Sequence, residues 1–486
     1  MLGFHDQAKF ATPAMFAALG DDTHDRADAG IVVRGELPSG LKGVLYRNGP
    51  GRFRRGDEIK RTVLDGDGVM QRLEFADGVA HYARRFVKTP KLLAEEHAGR
   101  FLKPSWTTTV PGLLANVGQH IQGTAGVTTY DVNGILLALD EGGASPGCEI
   151  DRDTLETLRP ASLGLPDNDA SPKPHAKRIA ESGDWLFAST RYGAKGMQID
   201  VVRHRRDGTR VATPTVLAPR VGYLHDFAAT NRHAIFTLQA VELHSLRFLA
   251  GLASFSECIE WKPELGNIIV LINLATGEHR TFEAPPAWAW HMANAYEQGD
   301  AVIMDFVGYD DPGHFIGPDA QLAAIMHGKE GVNGAPGTIR RLVLSANGTL
   351  AETVLADGNF EFPQIDLRAS GAAHERIYVT SCPTSGFFHT GIAALEVRTG
   401  RLDSYDFGAS VNTGEPVFAA DPNGGPDQGW LITQTLDVQR VTSGFAVLEA
   451  QNVAAGPVAT VEVGQTMPLS LHGQWVAATP PLTQRH

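Results

Sequence analysis

Short apolar runs recur from one end of the chain to the other, and most of them are too short to form helices. Many of their residues are β-branched or aromatic, and turn sequences such as Asp131-Val132-Asn133-Gly134 stand between the runs. Short strands separated by Gly, Asn and Asp predict an all-β fold without regularly alternating helices. The predicted strands are Gly43–Arg47, Val69–Phe75, Ile135–Leu139, Trp185–Ser189, His233–Leu238, Asn267–Leu274, Ala301–Phe306, Thr338–Leu344, Arg376–Thr380, Ile392–Val397, Gly429–Thr433 and Gly444–Leu448.

The arrangement of these strands favours a β-propeller over a pair of stacked sheets. The alternation of strand and turn is never interrupted by a Pro/Ser-rich linker, and 486 residues suit one closed ring of four-stranded blades. We therefore expect a single domain over residues 1–486. No clean repeat is present near the ~40-residue period of WD40 blades, so periodicity leaves the number of blades open. Helical patterns are confined to three segments, interpreted as excursions from the ring: Lys91–Leu102, Pro111–Ile121 and Val241–Phe255.

Charge and cysteine content exclude several classes of protein. The chain has 42 Lys and Arg against 55 Asp and Glu, and its net charge of −13 disfavours nucleic acid as a partner. Cys148, Cys258 and Cys382 show no CxxC spacing, so we expect buried free thiols and a reducing, cytoplasmic compartment. Residues 1–22 lack the pattern of a signal peptide, and no run of ~18 apolar residues predicts a membrane span.

Four of the 18 histidines stand out because each borders an apolar or aromatic stretch. They are His175 in SPKPHAKRI, His225 in GYLHDF, His291 in WAWHMANAY and His472 in LSLHGQW. Their wide spacing excludes a zinc finger or an HExxH helix, whose ligands lie close in sequence. The spacing is compatible with inner strands that each present one side chain to the axis of a ring. From spacing alone, ordinary core histidines remain the favoured interpretation.

A series of motifs around these histidines resembles the carotenoid cleavage oxygenases, non-haem iron enzymes that include the bacterial apocarotenoid oxygenases. The resemblance covers nearly the whole chain. Each motif is weak alone, whereas their shared order is specific. In chain order the motifs are LKGVLYRNGPGRF (Leu41–Phe53), LDGDGVMQRLEF (Leu64–Phe75), ALDEGG (Ala138–Gly143), DRDTLETL (Asp151–Leu158), YLHDF, FSECIEW (Phe255–Trp261), WAWHMAN, EFPQID (Glu361–Asp366), GEPVF (Gly414–Phe418) and LHGQW.

The resemblance implies a seven-bladed propeller whose helical excursions cap the face where a substrate tunnel opens. It also implies Fe(II) at the centre, bound by four histidines: His175, His225, His291 and His472. Neutral imidazoles suit this ion, and four ligands leave two octahedral positions open. Three carboxylates, by the same resemblance, each accept the second N–H of a ligand: Glu141 from His225, Glu361 from His291 and Glu415 from His472. The remaining ligand, His175, is expected to have no carboxylate partner.

The chain departs from the family pattern near the predicted metal. Val127 stands where relatives often have a threonine, which makes the open coordination positions more apolar. Asp140 replaces a tryptophan of the apocarotenoid enzymes or a lysine of the phenol-cleaving enzymes, and Phe86 aligns with the tyrosine that works with that lysine. A hydroxystilbene would therefore lack its anchor. Phe362 is expected to face the tunnel near the metal.

These observations predict an Fe(II)-dependent dioxygenase that cleaves a conjugated C=C bond of an apocarotenoid or carotenoid with O2. Two carbonyl products result, with a retinal-type aldehyde among the candidates. Three alternatives stay open: cleavage of a stilbene or phenylpropenoid, a propeller that binds a carotenoid without turnover, and isomerisation. The absent lysine and tyrosine disfavour the first, and the full set of four histidines and three glutamates disfavours the second.

Two apolar segments concern the surface of the molecule. Val241–Phe255 and Pro111–Ile121 carry several leucines and few charges. They are interpreted either as elements packed on the propeller or as a rim that dips into a bilayer to collect an apolar substrate. Because matching segments border the tunnel mouth in the family, the resemblance favours the rim. The expected location is the cytoplasm, with peripheral contact to a membrane.

Overall fold

Short antiparallel strands build seven sheets, which are arranged as the blades of a β-propeller. The computed structural model describes residues 25–27, 31–112, 114–141, 147–166, 170–317, 321–326, 334–384, 386–464, 466–467 and 470–478. Residues 1–22, considered above for a signal peptide, and residues 142–143 of the ALDEGG motif lie outside this described part of the chain.

Blades 2 to 6 are each built from strands that follow one another along the chain. The strands of blade 2 are Thr128–Val132, Ile135–Leu139, Gly147–Ile150 and Thr157–Pro160, and those of blade 3 are Ala170–Pro172 with Lys177–Ile179, Asp184–Gly193, Gly196–His204, and Arg210–Ala212 with Val216–Leu217. The strands of blade 4 are Ala228–Ala229, His233–Leu238, Asn267–Asn273 and His279–Ala284, and those of blade 5 are Met292–Gln298, Ala301–Gly308, Thr338–Leu344 and Leu350–Ala356. The strands of blade 6 are Phe360–Gln364, Arg376–Ser381, Gly391–Glu396 and Arg401–Asp406.

Blades 1 and 7 join strands from opposite ends of the described chain and so close the ring. The strands of blade 1, from the centre outwards, are His472–Ala477, Gly43–Pro50, Gly68–Ala76, Val79–Phe86 and Arg26–Ala27. Those of blade 7 are Val411–Thr413 with Val417–Ala420, Gly429–Asp437, Thr442–Glu449, Pro457–Glu462 and Val32–Gly35. The register of the closing pair runs from Asn48 opposite His472 to Gly43 opposite Ala477.

Tight turns with positive φ angles connect the strands. Asp77 and Gly78 (φ 50° and 79°) join two strands of blade 1, and Asn133 and Gly134 (φ 54° and 89°) join two strands of blade 2. Two successive residues in the left-handed region are typical of type I′ hairpins, whose twist matches that of the strands they connect. The Asn-Gly and Asp-Gly sequences therefore form the turns that the sequence predicts.

The apolar core lies between neighbouring blades. Val447 and Val461 of blade 7, for example, pack in one cluster with Leu45 and Leu73 of blade 1. A middle strand such as Thr442–Glu449 is covered on both faces, which explains why it is a continuous apolar run without alternation. All the strands predicted from such runs coincide with observed strands, with ends that differ by a few residues.

The helices agree less well with their predictions. The segment predicted as Lys91–Leu102 forms the helix Pro90–Ala98, capped by Thr89 and ended by Gly99 in the left-handed region. No helix forms over the described residues of Pro111–Ile121, which contradicts the prediction: residues 114–118 form turns, and Gly112 and Gly118 adopt φ angles of 124° and 64°. Val241–Phe255 is also no continuous helix, since it divides into the strand Val241–Leu243 and the helix Ser245–Leu249.

The remaining elements lie mainly outside the seven sheets. They are the two-stranded ribbons Arg54–Arg55 with Glu58–Ile59 and Val241–Leu243 with Ile259–Trp261, the helix Gln321–Ile325, and the 3-10 turns Val63–Asp65, Ser256–Cys258, Pro263–Leu265, Leu367–Ala369 and Val453–Ala455. Leu322 and Ile325 pack against Phe53 and Val63, so the helix Gln321–Ile325 covers residues that line the cavity described below.

A buried ionic cluster holds the helix Pro90–Ala98 against the loops of blade 1. Lys91 Nζ lies 2.8 Å from Asp67 Oδ1 and 3.1 Å from Glu95 Oε2, and Arg55 Nη2 donates to Asp67 Oδ2 at 2.9 Å. All four side chains are at least 96% buried. Opposite charges therefore compensate one another without solvent.

Two predictions about the chain as a whole can be compared with the fold. Cys148, Cys258 and Cys382 are buried free thiols, as the sequence predicts. Among the described helices, none combines the length and apolar character needed to cross a bilayer.

Candidate metal centre

Four histidines converge from four blades, where the innermost strands meet. His175 lies between the two short inner segments of blade 3, His225 precedes the first strand of blade 4, His291 precedes that of blade 5, and His472 begins the closing strand of blade 1. Three of them are buried, and the His291 side chain is 11% exposed. The fold thus brings together the four histidines that the sequence singles out.

The imidazole rings are close enough to share one ion. The candidate ligand nitrogens of His175, His225 and His291 all lie within 4.8 Å of one another. The Nε2 atoms of His175 and His225 are 3.2 Å apart. The ring of His472 is centred 4.7 Å from that of His175 and 4.6 Å from that of His291, so it borders the same space.

Three glutamates hold three of these rings from the side away from this space. The hydrogen bonds run from Nδ1 to a carboxylate oxygen: His225 to Glu141 (2.6 Å), His291 to Glu361 (2.6 Å) and His472 to Glu415 (2.9 Å). Each bond fixes the orientation of its ring and leaves Nε2 for a metal. Within the residues that the structure describes, no carboxylate hydrogen-bonds to His175.

Every blade contributes one residue to this arrangement. Glu141 follows Ile135–Leu139 of blade 2, Glu361 lies on the first strand of blade 6, and Glu415 lies between the two inner segments of blade 7. The three histidine–glutamate bonds therefore connect different blades, and the centre can form only when the ring has assembled.

The charges of the cluster follow from burial and pairing. Burial would raise the pKa of Glu361, but His291 outweighs this and holds the pKa below its usual value. The same balance lowers the pKa of the other two carboxyl groups, Glu141 and Glu415. Burial, followed by its histidine neighbours, places the pKa of His175 well below the ordinary value. Its ring is therefore neutral, which is the form that binds a metal.

Further polar residues hold the carboxylates, and sequence reasoning did not find them. Tyr223 Oη donates to Glu141 at 2.8 Å, and Lys173 Nζ lies 3.5 Å from the other oxygen of that carboxylate. Gln364 Nε2 donates to Glu415 at 2.6 Å. Tyr223 and Gln364 lie inside the YLHDF and EFPQID motifs, and Lys173 is two residues before His175. Their proximity to predicted site residues was the available sign.

An apolar cavity of about 190 Å³ opens beside the histidines. Val127, Asp140 and Phe362, predicted to lie at the tunnel, line it. Aromatic side chains make up much of the rest of the wall: Phe53, Trp106, Trp290, Phe315, Phe387 and Phe388. The cavity suits a flat, apolar ligand, which would be held by shape more than by polar contacts.

Phe86 does not belong with these residues. It packs with Val69 and Leu92 in a small cluster, and the guanidinium of Arg52 lies 4.9 Å from the centre of its ring. No atom of Phe86 lines the described cavity. The expected tunnel position is therefore incorrect, because the strand Val79–Phe86 is the outer part of blade 1 and directs this side chain into a separate cluster.

Phe362 owes its position to an irregular strand. The pairing of blade 6 shifts register between Glu361 and Gln364, and Phe362 has a φ of 53°, in the left-handed region. A bulge of this kind redirects side chains. The Phe362 ring stacks on His291 at 5.3 Å and is also centred 5.3 Å from His472.

A second, smaller cavity of about 80 Å³ borders the histidines as well. Its wall includes His175, which does not line the larger cavity, and several polar residues: Lys177, Arg178, Asp226, Gln364 and Gln474. His291 and His472 line both cavities. The centre therefore separates an apolar space from a polar one.

Comparison with known families adds an independent observation. A family model described as retinal pigment epithelial membrane protein matches residues 20–477. The chain is 26% identical over 469 residues to the apocarotenoid-15,15'-oxygenase of Synechocystis sp. (strain ATCC 27184 / PCC 6803 / Kazusa), a match that covers 91% of this chain and 92% of that protein. It is 25% identical over 473 residues to isoeugenol monooxygenase of Pseudomonas nitroreducens, covering 92% and 94%.

Solved structures share the fold. A glutamate-to-glutamine variant of Synechocystis apocarotenoid oxygenase aligns with a TM-score of 0.89 at 24% identity, covering 97% of this chain and 100% of the other. A cobalt-substituted structure of the same enzyme aligns with a TM-score of 0.87 at 24% identity, with the same coverage.

Proposed function

The chain belongs to the carotenoid cleavage oxygenase family, represented by the retinal pigment epithelial membrane protein model, and we propose that it cleaves a conjugated C=C bond of an apocarotenoid or carotenoid with O2. It is an oxygenase, as are the relatives named above. Two carbonyl compounds would be the products. One observation carries the proposal: four imidazoles, three of them held by carboxylates, converge beside an apolar cavity that His225, His291 and His472 line.

The metal in this proposal is Fe(II), and the donor set fits it. Because His225 donates from Nδ1 to Glu141, its neutral ring has a lone pair on Nε2. That lone pair faces Nε2 of His175 at 3.2 Å, and a cation between the rings would satisfy both nitrogens. The ligands would be His175, His225, His291 and His472. Fe(II) bound there would supply the activation of O2.

The other residues position the substrate and exclude water. The aromatic wall encloses an extended polyene by shape and keeps solvent away from reactive species. Val127 adds an apolar surface to the cavity, and Phe362, stacked on His291, limits where a double bond can lie. Glu141, Glu361 and Glu415 each accept a hydrogen bond from a histidine, so their role in this proposal is to orient the rings.

Cleavage of a phenylpropenoid is the second candidate, since isoeugenol monooxygenase is among the relatives. Asp140 disfavours it. One Asp140 oxygen accepts from the backbone N–H groups of Thr124 and Ala125, and the other accepts from that of Glu141. A carboxyl group with these partners, whose pKa burial raises to about 6, offers no positive charge to stabilise a phenolate.

The substrate class can be tested by aerobic incubation of iron-loaded protein with β-apo-8'-carotenal, β-carotene, isoeugenol and resveratrol, followed by mass spectrometry. We expect two aldehydes from the apocarotenal. Conversion of isoeugenol and resveratrol alone would identify the substrate as a phenolic alkene instead of an apocarotenoid. A product of unchanged mass would indicate isomerisation, and retention of an unaltered polyene would indicate a binding protein without turnover.

The metal site can be tested separately with His291→Ala. We expect this variant to lose stoichiometric iron after anaerobic loading, measured by elemental analysis of the desalted protein. His279→Ala is the matched control, because His279 is exposed on the outermost strand of blade 4. Stoichiometric iron in His291→Ala would contradict the ligand assignment.

Peripheral membrane contact forms part of the proposal. Leu246, Leu252 and Leu114 are 84%, 74% and 77% exposed. The two apolar segments meet where Gly118 N donates to the carbonyl of Leu249 at 2.9 Å. Adjacent exposed leucines of this kind can insert into a lipid surface.

Flotation with phosphatidylcholine vesicles tests this contact. We expect the protein to float with the vesicles and the double variant Leu246→Ser/Leu252→Ser to remain at the bottom of the gradient. Leu158→Ser is the control, since Leu158 is 55% exposed on blade 2, outside both segments. Equal flotation of all three proteins would exclude these leucines as the contact.

A further inference from the structure

One polar side chain in the wall of the apolar cavity has no part in the proposed chemistry. His389 lines this cavity and follows Phe387 and Phe388, two of its aromatic residues. It is not one of the four histidines at the centre, and no motif in the sequence indicated it. Its presence in an apolar wall calls for a partner, because a polar atom kept from water without a hydrogen bond is unfavourable.

The hydrogen bonds around His389 fix its tautomer. Thr380 Oγ1 donates to the carbonyl of Glu361 at 3.0 Å and lies 2.7 Å from His389 Nδ1. A hydroxyl group has one proton, so with this proton on the carbonyl, Thr380 Oγ1 accepts from Nδ1–H. The neutral ring of His389 therefore has its lone pair on Nε2. Burial lowers the pKa of His389 to about 4, which keeps the ring neutral near pH 7.

Nε2 of His389 is the ring atom available to a ligand. Among the residues that the structure describes, the hydrogen bond of the His389 ring is made by Nδ1. The hydroxyl groups that share the cavity wall already have acceptors. Thr413 shares its single proton between the carbonyls of His389 and Gly391, Tyr309 donates to the carbonyl of Phe360 at 3.4 Å, and Ser470 donates to Gln434. The His389 ring thus presents an uncommitted hydrogen-bond acceptor to the cavity.

We propose that His389 Nε2 accepts a hydrogen bond from a hydroxyl group of the substrate. The inference rests on the proposed function, since it assumes that the substrate occupies this cavity. Only a donor can pair with this nitrogen, so a hydrocarbon or carbonyl end group gains nothing there. The preferred substrates are therefore polyenes that carry a hydroxyl group, such as a ring-hydroxylated apocarotenoid.

Binding can be measured without turnover by titrating the iron-loaded protein under argon. Conjugated polyenes quench tryptophan fluorescence, and Trp106 and Trp290 line the cavity. The paired ligands are 3-hydroxy-β-apo-8'-carotenal and β-apo-8'-carotenal, which differ by one hydroxyl group. We expect the hydroxylated ligand to bind about 3- to 10-fold more tightly, as one net hydrogen bond allows.

Variants identify the residue responsible. His389→Phe keeps an aromatic ring without the acceptor, so the ratio of the two Kd values should fall to about 1 through weaker binding of the hydroxylated ligand. His389→Gln keeps an acceptor and should restore part of the preference. His314→Phe is the matched control: His314 is buried beside Phe315 and Phe387 but does not line the described cavity, so the ratio should not change.

Two results would overturn the inference: equal Kd values for the two ligands in the unmodified protein, or a preference that persists in folded His389→Phe. If circular dichroism shows that His389→Phe is unfolded, the ratio in the unmodified protein and in His389→Gln decides. A hydroxyl preference without cleavage of either ligand in air would reject the proposed function alone. Cleavage of both ligands with equal Kd values would reject the role of His389 alone.

Discussion

The three histidine–glutamate pairs differ in how firmly their carboxylates are held. Glu415 uses both oxygens, one for His472 and Gln364 and the other for the N–H of Gly473. Glu361 bonds through one oxygen to His291 and to the N–H of Phe362, and its second oxygen has no hydrogen-bond partner among the described residues. Of these two carboxylates, Glu361 is therefore the one at which we expect loss of the negative charge to affect metal binding more.

Glu361→Gln should weaken metal binding while leaving the fold intact. The amide can still accept from His291, but it removes the negative charge that makes the imidazole a better ligand, so we expect a 10- to 100-fold loss of iron affinity or activity. Iron titration and thermal unfolding measure the two effects. Glu375→Gln, an exposed position in the same blade, is the control. Unchanged iron affinity would contradict the role of Glu361.

At this scale, motif order predicted the histidines and glutamates that meet at the centre, and local sequence could not predict their supports. Lys173 and Gln364 reach Glu141 and Glu415 from other blades, so their contacts depend on how the ring closes. Phe86 was misplaced because an aligned position does not give the direction of a side chain. His389 lacked any sign, since its tautomer depends on a hydrogen bond to Thr380 of the preceding strand.

At the scale of elements, the helix Pro90–Ala98 is anchored by charge as well as by apolar packing. Only Leu92 among its apolar residues is deeply buried, whereas Lys91 and Glu95 are buried polar residues, and Lys91 donates to both Asp67 and Glu95. Without Asp67, the two buried cations Arg55 and Lys91 would share Glu95 as their one carboxylate in the cluster, and an uncompensated buried charge is strongly destabilising.

Asp67→Asn should destabilise the protein by about 3–5 kcal/mol, because Arg55 and Lys91 then remain charged in a buried place. Urea unfolding at pH 7 measures the loss, with Asp57→Asn, an exposed position in the neighbouring ribbon turn, as the control. Equal stability of the two variants would show that the cluster does not hold the helix.

The same cluster predicts a dependence on pH. Burial would raise the pKa of Asp67, but Lys91 and Arg55 outweigh it and hold the pKa below its ordinary value of 3.8. A depressed folded-state pKa stabilises the protein fully above the ordinary value, and this contribution is lost as the pH falls through the folded-state pKa. Unfolding midpoints measured below pH 4 should therefore converge for the unmodified protein and Asp67→Asn. A constant difference between them would contradict this assignment.

Strands and turns were predictable where the local sequence alone determines the structure. Apolar runs between Asn-Gly and Asp-Gly turns gave the middle strands of the blades. The inner strands were not found, because a segment such as Ala228–Ala229 is too short to show a pattern. The apolar segments around Pro111 and Leu246 suggested helices, but glycines and tertiary contacts decide their course.

At the scale of the whole molecule, closure of the ring and formation of the centre are one event. The strand His472–Ala477 completes blade 1 and also supplies the fourth histidine. Next to it, Gly473 donates to Glu415, and a Cβ atom there would lie 2.7 Å from the carbonyl oxygen of Tyr46. The closing strand has no space for a larger residue at this position.

Gly473→Ala should therefore disturb both properties together. The forced shift of the strand should cost about 1–3 kcal/mol of stability and reduce iron retention. Chemical unfolding and elemental analysis of the same samples measure the two losses. Gly193→Ala is the control, because a Cβ atom at Gly193 meets nothing within 4 Å. A loss of stability with full iron retention would show that closure of the ring and formation of the metal centre are independent.

The propeller class followed from strand spacing, and the number of blades did not. The strands vary from two to ten residues, and loops of unequal length separate them, so no repeat survives in the sequence. The resemblance supplied the number seven, which the sheets confirm. Strand spacing in a single sequence predicts a ring of blades, but the number of blades depends on which distant segments pair.

The contribution of one residue from each blade has a consequence for heritable variation. Propellers can change size by gaining or losing a blade. In a six- or eight-bladed ring, however, the blades would be rotated relative to one another, and each histidine would be separated from its glutamate. Mutations that change the number of blades would therefore abolish metal binding. New specificities must arise in the connecting loops and in cavity residues such as His389.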